Sequence, residues 1–246
     1  MSTVTVAVPY YGVPDLIERA VSSILAQTYE DLRLVVIGDG QSVPIHARDS
    51  RLEIYCLPAN RGTYFALQLA LLASPDAWHA PHGADDWTDP THLETLMALN
   101  RDAVAMGTCW VHNPEPVLTS IGREGWHVGV FSSARLKDLG GYDPSARLSQ
   151  DTLVLHLLDA TGGYLRHKSE DPTYHIWRHP KSLTTSKTTG MQSPARGKAR
   201  ARNMQIEAKC RHLGEVPKIK TYRERLVPER IHDELQEHVR RLRARL

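Results

Sequence analysis

Cysteine is scarce: Cys56, Cys109 and Cys210 are the only three among 246 residues, too few and too scattered for a disulfide framework or a cysteine-rich zinc site. An odd number suits a reducing compartment, so a cytoplasmic protein is expected. No run approaches 18 apolar residues, and Met1-Ser2-Thr3 leads straight into an apolar segment without a basic stretch or cleavage site. Neither a membrane span nor a signal peptide is expected. An excess of one charge is also lacking, since 30 basic and 28 acidic residues leave a net charge of +2. That balance argues against a surface built throughout for nucleic acid or anionic membrane. There is no G-x-G-x-x-G after the first apolar run and no G-x-x-x-x-G-K-[ST] anywhere, the glycines that let backbone N–H groups approach phosphate. A nucleotide, if bound, is held in another way.

What is present is enough to fold: 41% of residues are hydrophobic and 24% charged, which supports one domain, or one domain plus an appendage. Val4 to Val8 reads as a strand, and Leu16, Ile17, Ala20, Val21, Ile24 and Leu25 follow at helical spacing behind Pro14. Strand runs at Leu34 to Ile37, Leu52 to Leu57 and Trp78 to His82 end in polar turns, with a helix over about Thr63 to Ala73. Asp89-Pro90 supplies a cap and a first-turn proline for a helix through Leu93, Leu96 and Met97. Alternating strands and helices predict an α/β fold, an open and mostly parallel sheet with helices on both faces. Further on, strands are expected at Ala103 to Thr108 and Gly125 to Phe131, and helices at Ser133 to Leu139 and Gln150 to Ala160. Gly190 to Arg202, rich in Gly, Pro, Lys and Arg, reads as a mobile loop or linker. From Val227 the stripe Ile231, Leu235, Val239, Leu242 and Leu246 predicts a helix that needs a covering surface: its own domain, a second subunit or a membrane. Protein is preferred, with a homo-oligomer ahead of a monomer.

Ligands of open α/β sheets bind beyond the carboxyl ends of the strands. Pro9-Tyr10-Tyr11, Gly38-Asp39-Gly40 and Asp85-Asp86 all fall there. Adjacent carboxylates suit a hard divalent cation that neutralises a diphosphate leaving group, and equally suit a helix-capping turn. His79 and His82, three apart on a strand, point to opposite faces and so are not read as one metal site. Trp110, Trp126 and His127 would either line an acceptor cleft or pack the core.

Ordered motifs then add a resemblance. Val6-Ala7-Val8-Pro9-Tyr10-Tyr11, Ser22 to Tyr29, Val35 to Ser42 and Asn60-Arg61-Gly62 resemble successive signatures of family 2 glycosyltransferases of the GT-A fold. So do Asp85-Asp86, Leu139-Gly140-Gly141-Tyr142-Asp143 with Gln150-Asp151, and the segment Tyr174 to Thr184 containing Arg178-His179-Pro180. The resemblance covers about the first 185 residues. It implies a GT-A domain over 1–186, to which composition adds a basic mobile loop or linker at 187–212 and the apolar stripe a helical extension at 213–246. It also implies a metal-dependent, inverting transfer of a sugar from a UDP-sugar donor to a hydroxyl of a glycan or protein acceptor. Residues implied to bind donor are Pro9, Tyr11, Asp39, Arg61, Asp85 and Arg178. Asp86, His179 and Asp85 would meet Mn2+ or Mg2+, an imidazole tilting the preference toward Mn2+. Asp39 would accept the uracil imide N–H. Asp151 would be the catalytic base, or a helix-end carboxylate that only meets the dipole. Arg61 and Lys187 are either phosphate contacts or solvated side chains.

The family pattern is broken at Gly38 and Gln150, where acidic residues are usual, and at Ala66-Leu67-Gln68, where the common reading is A-R-N. These breaks leave room for a non-catalytic module that holds a glycan or nucleotide. A nucleic-acid arm built from Lys187 to Arg211 and Arg240 to Arg245 is disfavoured by interleaved acidic residues and few aromatics.

Overall fold

Val4, Val6 and Val8 alternate with Thr5 and Ala7, and all five are buried, as a strand covered on both faces requires. The computed structural model describes residues 2–99, 104–112, 118–121, 128–161 and 167–246. In chain order these form β1 (Val4–Tyr10), α1 (Pro14–Leu25), β2 (Leu32–Gly38), β3 (Leu52–Cys56), α2 (Thr63–Ala73) and β4 (Trp78–Pro81). Next come β5 (Trp87–Thr88), α3 (His92–Leu99), β6 (Val104–His112), β7 (Leu118–Ile121), β8 (Gly129–Ser132), α4 (Ser133–Asp138) and α5 (Gln150–Ala160). The chain ends with β9 (His167–Trp177), α6 (Pro194–Leu213), α7 (Val216–Arg225) and α8 (Glu229–Arg243).

One sheet runs in the order β3-β2-β1-β4-β8-β6-β9-β5, with β7 paired to β6. Its first half is parallel, while β8 joins β4 and β6 antiparallel, so the sheet is mixed. The parallel register sets the ends of β1, β2 and β4 side by side: Pro9 lies opposite Ile37 and Ala7 opposite Pro81. Two apolar cores flank the sheet. Val4, Val6, Val8, Leu34 and Val36 pack toward α1 and α3, whereas Ala7, Val35 and Ile37 pack toward α2, α5 and the C-terminal helices.

α2 is apolar on nearly every face, Tyr64 to Leu71 all being buried, and such a helix needs cover on two sides. The sheet supplies one side and α8 the other. Leu235, Val239 and Leu242 of α8 are buried there, with Ile231 and Leu246 partly covered. The apolar stripe that suggested a homo-oligomer is therefore covered by its own chain.

The expected loop at 187–212 needs correction, because α6 occupies 194–213. Ser193 caps it by accepting from the Arg196 N–H at 3.2 Å, and Pro194 takes the first turn. Ala, Arg and Lys then favour helix, and Ile206 and Cys210 seat it on the domain. The segment before Ser193 remains irregular. α7, β5 and β9 are further elements that the periodicity does not announce. Trp126 and His127 lie outside the described residues.

Candidate functional site

Asp39 directly follows β2 at 3% exposure, and its carboxylate accepts two backbone N–H groups, Arg61 at 2.5 Å and Gly62 at 2.8 Å. The acidic turn after β2 thus fixes the Asn60-Arg61-Gly62 turn beside it. The departure at Gly38 has a steric cause: a Cβ there would overlap the Gln41 carbonyl oxygen and stand 2.9 Å from Val43 Cγ2. Arg61 turns its guanidinium onto Glu234 of α8 at 2.6 Å. Pro9 is partly covered, and Tyr11, just past the end of β1, is 61% exposed.

After β4 the chain turns at Gly83 into Asp85 and Asp86. A Cβ on Gly83 would overlap Asp86 Oδ2 and stand 3.1 Å from Asp85 Oδ1, so the two carboxylates converge over the bare glycine. Asp86 is 6% exposed; its Oδ2 accepts from the Tyr174 hydroxyl and its Oδ1 from the Trp177 N–H, both at 2.9 Å. The Tyr174 oxygen in turn accepts from the Gly83 N–H at 3.0 Å. Burial first, and then the charge of Asp85, push Asp86 above the ordinary carboxylate range. Asp85 Oδ2 lies 3.1 Å from His179 Nε2 and accepts more weakly from Ser182 Oγ at 3.5 Å. Arg19 donates to the Asp85 carbonyl at 3.0 Å and lies over the Trp87 ring, 3.9 Å from its centroid.

β9 is what joins these parts. It carries Tyr174 and Trp177 onto Asp86 and then delivers Arg178 and His179, the Arg178 N–H donating to the His112 carbonyl at 2.9 Å. Asp85, Asp86 and His179 are thus brought together. Arg178 is partly exposed beside them, and Lys187 is exposed further along. Among the described residues no group of three or more His, Cys, Asp or Glu is already assembled as a metal cage. Two carboxylates meeting at one glycine, one of them buried and resisting ionisation, nevertheless form a donor set suited to a hard divalent ion, with His179 next to it.

Asp151 occupies the first turn of α5 and is partly exposed, with the Tyr64 hydroxyl donating to its Oδ1 at 2.9 Å. Burial, and then the Asp151 charge, raise Tyr64 well above its ordinary pKa, so it stays a donor. Ser149, just before this helix, is the one non-glycine with positive φ (62°) among the described residues. Such backbone persists where the surroundings enforce it, and here Asn203 of α6 donates to the Ser149 carbonyl at 2.5 Å. Gln150, the second departure, is fully buried; it donates to Asn203 Oδ1 at 3.1 Å and accepts from the Asp143 N–H at 3.4 Å. A neutral amide can make both bonds, whereas a carboxylate can make only one. Gln68 similarly accepts from Tyr142 N at 2.7 Å and donates to the Gly140 carbonyl at 3.3 Å, serving the Gly140-Gly141-Tyr142 turn.

His79 and His82 do not share a site: His79 lies against Tyr142 and His82 against Tyr174, with ring centroids 5.9 and 4.9 Å apart. Trp110 is partly buried on β6. Sequence reasoning missed Arg19, Tyr64 and Gly83, which carry no motif signal of their own. It also missed the role of Tyr174, which stands inside a segment already singled out.

The glycosyl transferase family 2 model matches residues 5–147, more than half of the chain, a span that includes the turns at Asp39, Asn60 to Gly62 and Gly83 to Asp86. The chain belongs to glycosyl transferase family 2. It is 31% identical over 115 residues to an uncharacterized glycosyltransferase of Haemophilus influenzae, a match covering 43% of this chain and 36% of that protein. The match thus spans about a third of that curated relative. In structure this family 2 chain resembles S. aureus TarS 1–349 in complex with UDP-GlcNAc: TM-score 0.60, 16% identity, 74% of this chain and 60% of that one. It also resembles the mannosyltransferase PcManGT of Pyrobaculum calidifontis in complex with GDP-Man and Mn2+: TM-score 0.53, 17% identity, 89% of this chain and 73% of that one. The mixed sheet flanked by helices is the GT-A fold that the sequence resemblance implied.

Proposed function

We propose that this chain is a metal-dependent, inverting glycosyltransferase that moves a sugar from a UDP-sugar donor to a hydroxyl of a glycan or protein acceptor. The observation that carries the reading is the convergence of the Asp85 and Asp86 carboxylates over Gly83, with His179 3.1 Å from Asp85, beside the strand end that holds Asp39. Fold neighbours carrying UDP-GlcNAc in one case and GDP-Man with Mn2+ in the other support a nucleotide sugar and a divalent ion.

Asp86, Asp85 and His179 would hold Mn2+ or Mg2+, which when bound neutralises charge on the departing diphosphate. Pro9 and Tyr11 would wall the uridine. Asp39 keeps unshared lone pairs after its two backbone bonds, and a uracil imide N–H is a suitable donor to them. Arg178 would grip phosphate oxygens bidentately. Asp151 would take the proton of the acceptor hydroxyl as that oxygen attacks the anomeric carbon from the face opposite the diphosphate. Its bond from Tyr64 would hold the carboxylate in one orientation. A pure binding module needs no such base, and the two departures that favoured one, Gly38 and Gln150, have packing and hydrogen-bonding causes.

A UDP-release assay over a panel of UDP-sugars, with and without Mn2+, tests the reading. Donor-specific, EDTA-sensitive release is expected. Absence of release from every donor, together with binding of UDP-sugar that is indifferent to metal, would leave the binding module instead.

A further inference from the structure

The net charge of +2 conceals a sharp division along the chain. Residues 1–177 hold 12 basic and 21 acidic residues, net −9, while residues 178–246 hold 18 and 7, net +11. Much of this positive charge lies on the segment between His179 and the end of α7. Lys181, Lys187, Lys198, Arg200, Lys209 and Arg211 are all exposed there.

Apolar side chains are exposed in the same place. Of the four large hydrophobic residues that stand out from the described surface, Tyr11 lies just past the end of β1 and the other three are Leu183 (52%), Met191 (44%) and Met204 (69%). They belong to one structural unit. Arg196 of α6 donates to the Thr189 carbonyl at 2.9 Å and to the Leu183 carbonyl at 3.3 Å, and Arg200 lies 3.7 Å from Met191 Sδ. Met204 follows Arg200 by one turn on the outer side of α6, whose inner side buries Asn203, Ile206 and Cys210. The outer face therefore presents apolar tips framed by long cationic side chains.

We infer that this face, made by the 181–193 segment and the outer side of α6, docks on an anionic lipid surface. Aliphatic and thioether side chains suit the boundary between headgroups and acyl chains, and lysine and arginine extend past them to lipid phosphates. A soluble polyanion would satisfy the cations and leave Leu183, Met191 and Met204 in water. A second copy of this chain would have to offer acidic and apolar groups together. The docked segment begins at the donor site itself, since Ser182 lies against Asp85 and Leu183 follows it. Membrane-borne acceptors would thus be presented beside the site.

The test is co-sedimentation of the full chain with vesicles of phosphatidylglycerol and phosphatidylcholine, against phosphatidylcholine alone. Binding to the anionic vesicles only, weakening with added salt, is the expected result. Arg200→Gln with Arg211→Gln, on the Met204 stripe of α6, should weaken it roughly twenty-five-fold, at roughly fivefold per charge, and Met204→Asp at least about tenfold. All three positions face solvent, so circular dichroism and UDP-sugar hydrolysis should be unchanged. No vesicle binding by the wild type at low salt overturns the inference, as does equal vesicle binding by Met204→Asp. Binding to soluble heparin oligosaccharide without vesicle binding would assign the face to a polyanionic glycan. Self-association without vesicle binding would assign it to a second copy.

Discussion

Asp39 and Asp86 both end buried strand-turn segments, yet their surroundings differ in the respect that matters for ion binding. Asp39 receives two backbone N–H groups, and its charge is answered locally. Asp86 also receives two hydrogen bonds, but burial and the charge of Asp85 outweigh them. A divalent cation would relieve that conflict. In wild-type protein Mn2+ should raise Tm, because a ligand that binds only the folded state stabilises it. Asp86→Ala should lose this rise together with at least about 10²-fold in kcat. Equal Tm shifts in the two proteins would show that the cation binds elsewhere. Asp151→Asn should instead keep donor affinity and lower transfer strongly, since an amide takes no proton at neutral pH. Equal losses in donor affinity and rate would make Asp151 structural.

At the scale of elements, what could be read from the sequence divides along physical lines. β1, β2, α1 and α2 announced themselves because long apolar runs or clear periodicity leave one backbone conformation that buries them. α6 did not, because its buried side includes Arg196 and Asn203 and only two apolar residues, Ile206 and Cys210. Its hydrophobic signal is too sparse to find against Gly197 and six basic residues in the helix. The site followed the same division. Asp39, Asp85, Asp86, Asp151 and His179 were visible as motif residues, whereas Tyr174, Tyr64 and Arg19 act through contacts set by tertiary structure. α7 shows the value of such contacts. Arg223, 6% exposed, donates to the Leu139 carbonyl, and at 2.7 Å to the Gly141 carbonyl, of the turn that precedes Tyr142. Arg223→Met leaves those carbonyls without their charged donor, and about 3 kcal/mol should be lost in urea unfolding. A change below about 1 kcal/mol would mean that water replaces the guanidinium.

At the scale of the whole molecule, two buried histidines, His79 and His92, resist protonation in the folded state. His79 lies at the centre of the sheet, fully buried on β4, paired across the strands with Thr5 and Phe131, and neither ring nitrogen has a hydrogen-bond partner among the described residues. Burial, aided by the nearby Lys137 charge, lowers its pKa to about 3; His92 is lowered to about 3 by burial and by the His82 and His175 charges. Both folded values lie below the ordinary histidine value of about 6.5, so the unfolded chain binds protons first as the pH falls. The stability that these two neutral histidines contribute is therefore complete above about pH 6.5. Below it, that contribution declines toward pH 3 by about 1.4 kcal/mol per pH unit for each histidine. His79→Leu separates this effect from the carboxylates, which titrate alike in both proteins. At pH 8 the variant should lie within about 1 kcal/mol of wild type, because it removes two unpaired buried nitrogens as well as some packing. At pH 5 it should gain about 2 kcal/mol relative to that comparison, one proton fewer being taken up on unfolding over about 1.5 pH units. Urea midpoints measured at both pH values decide the matter: curves that stay parallel from pH 8 to pH 5 would mean that the folded protein admits a proton at His79.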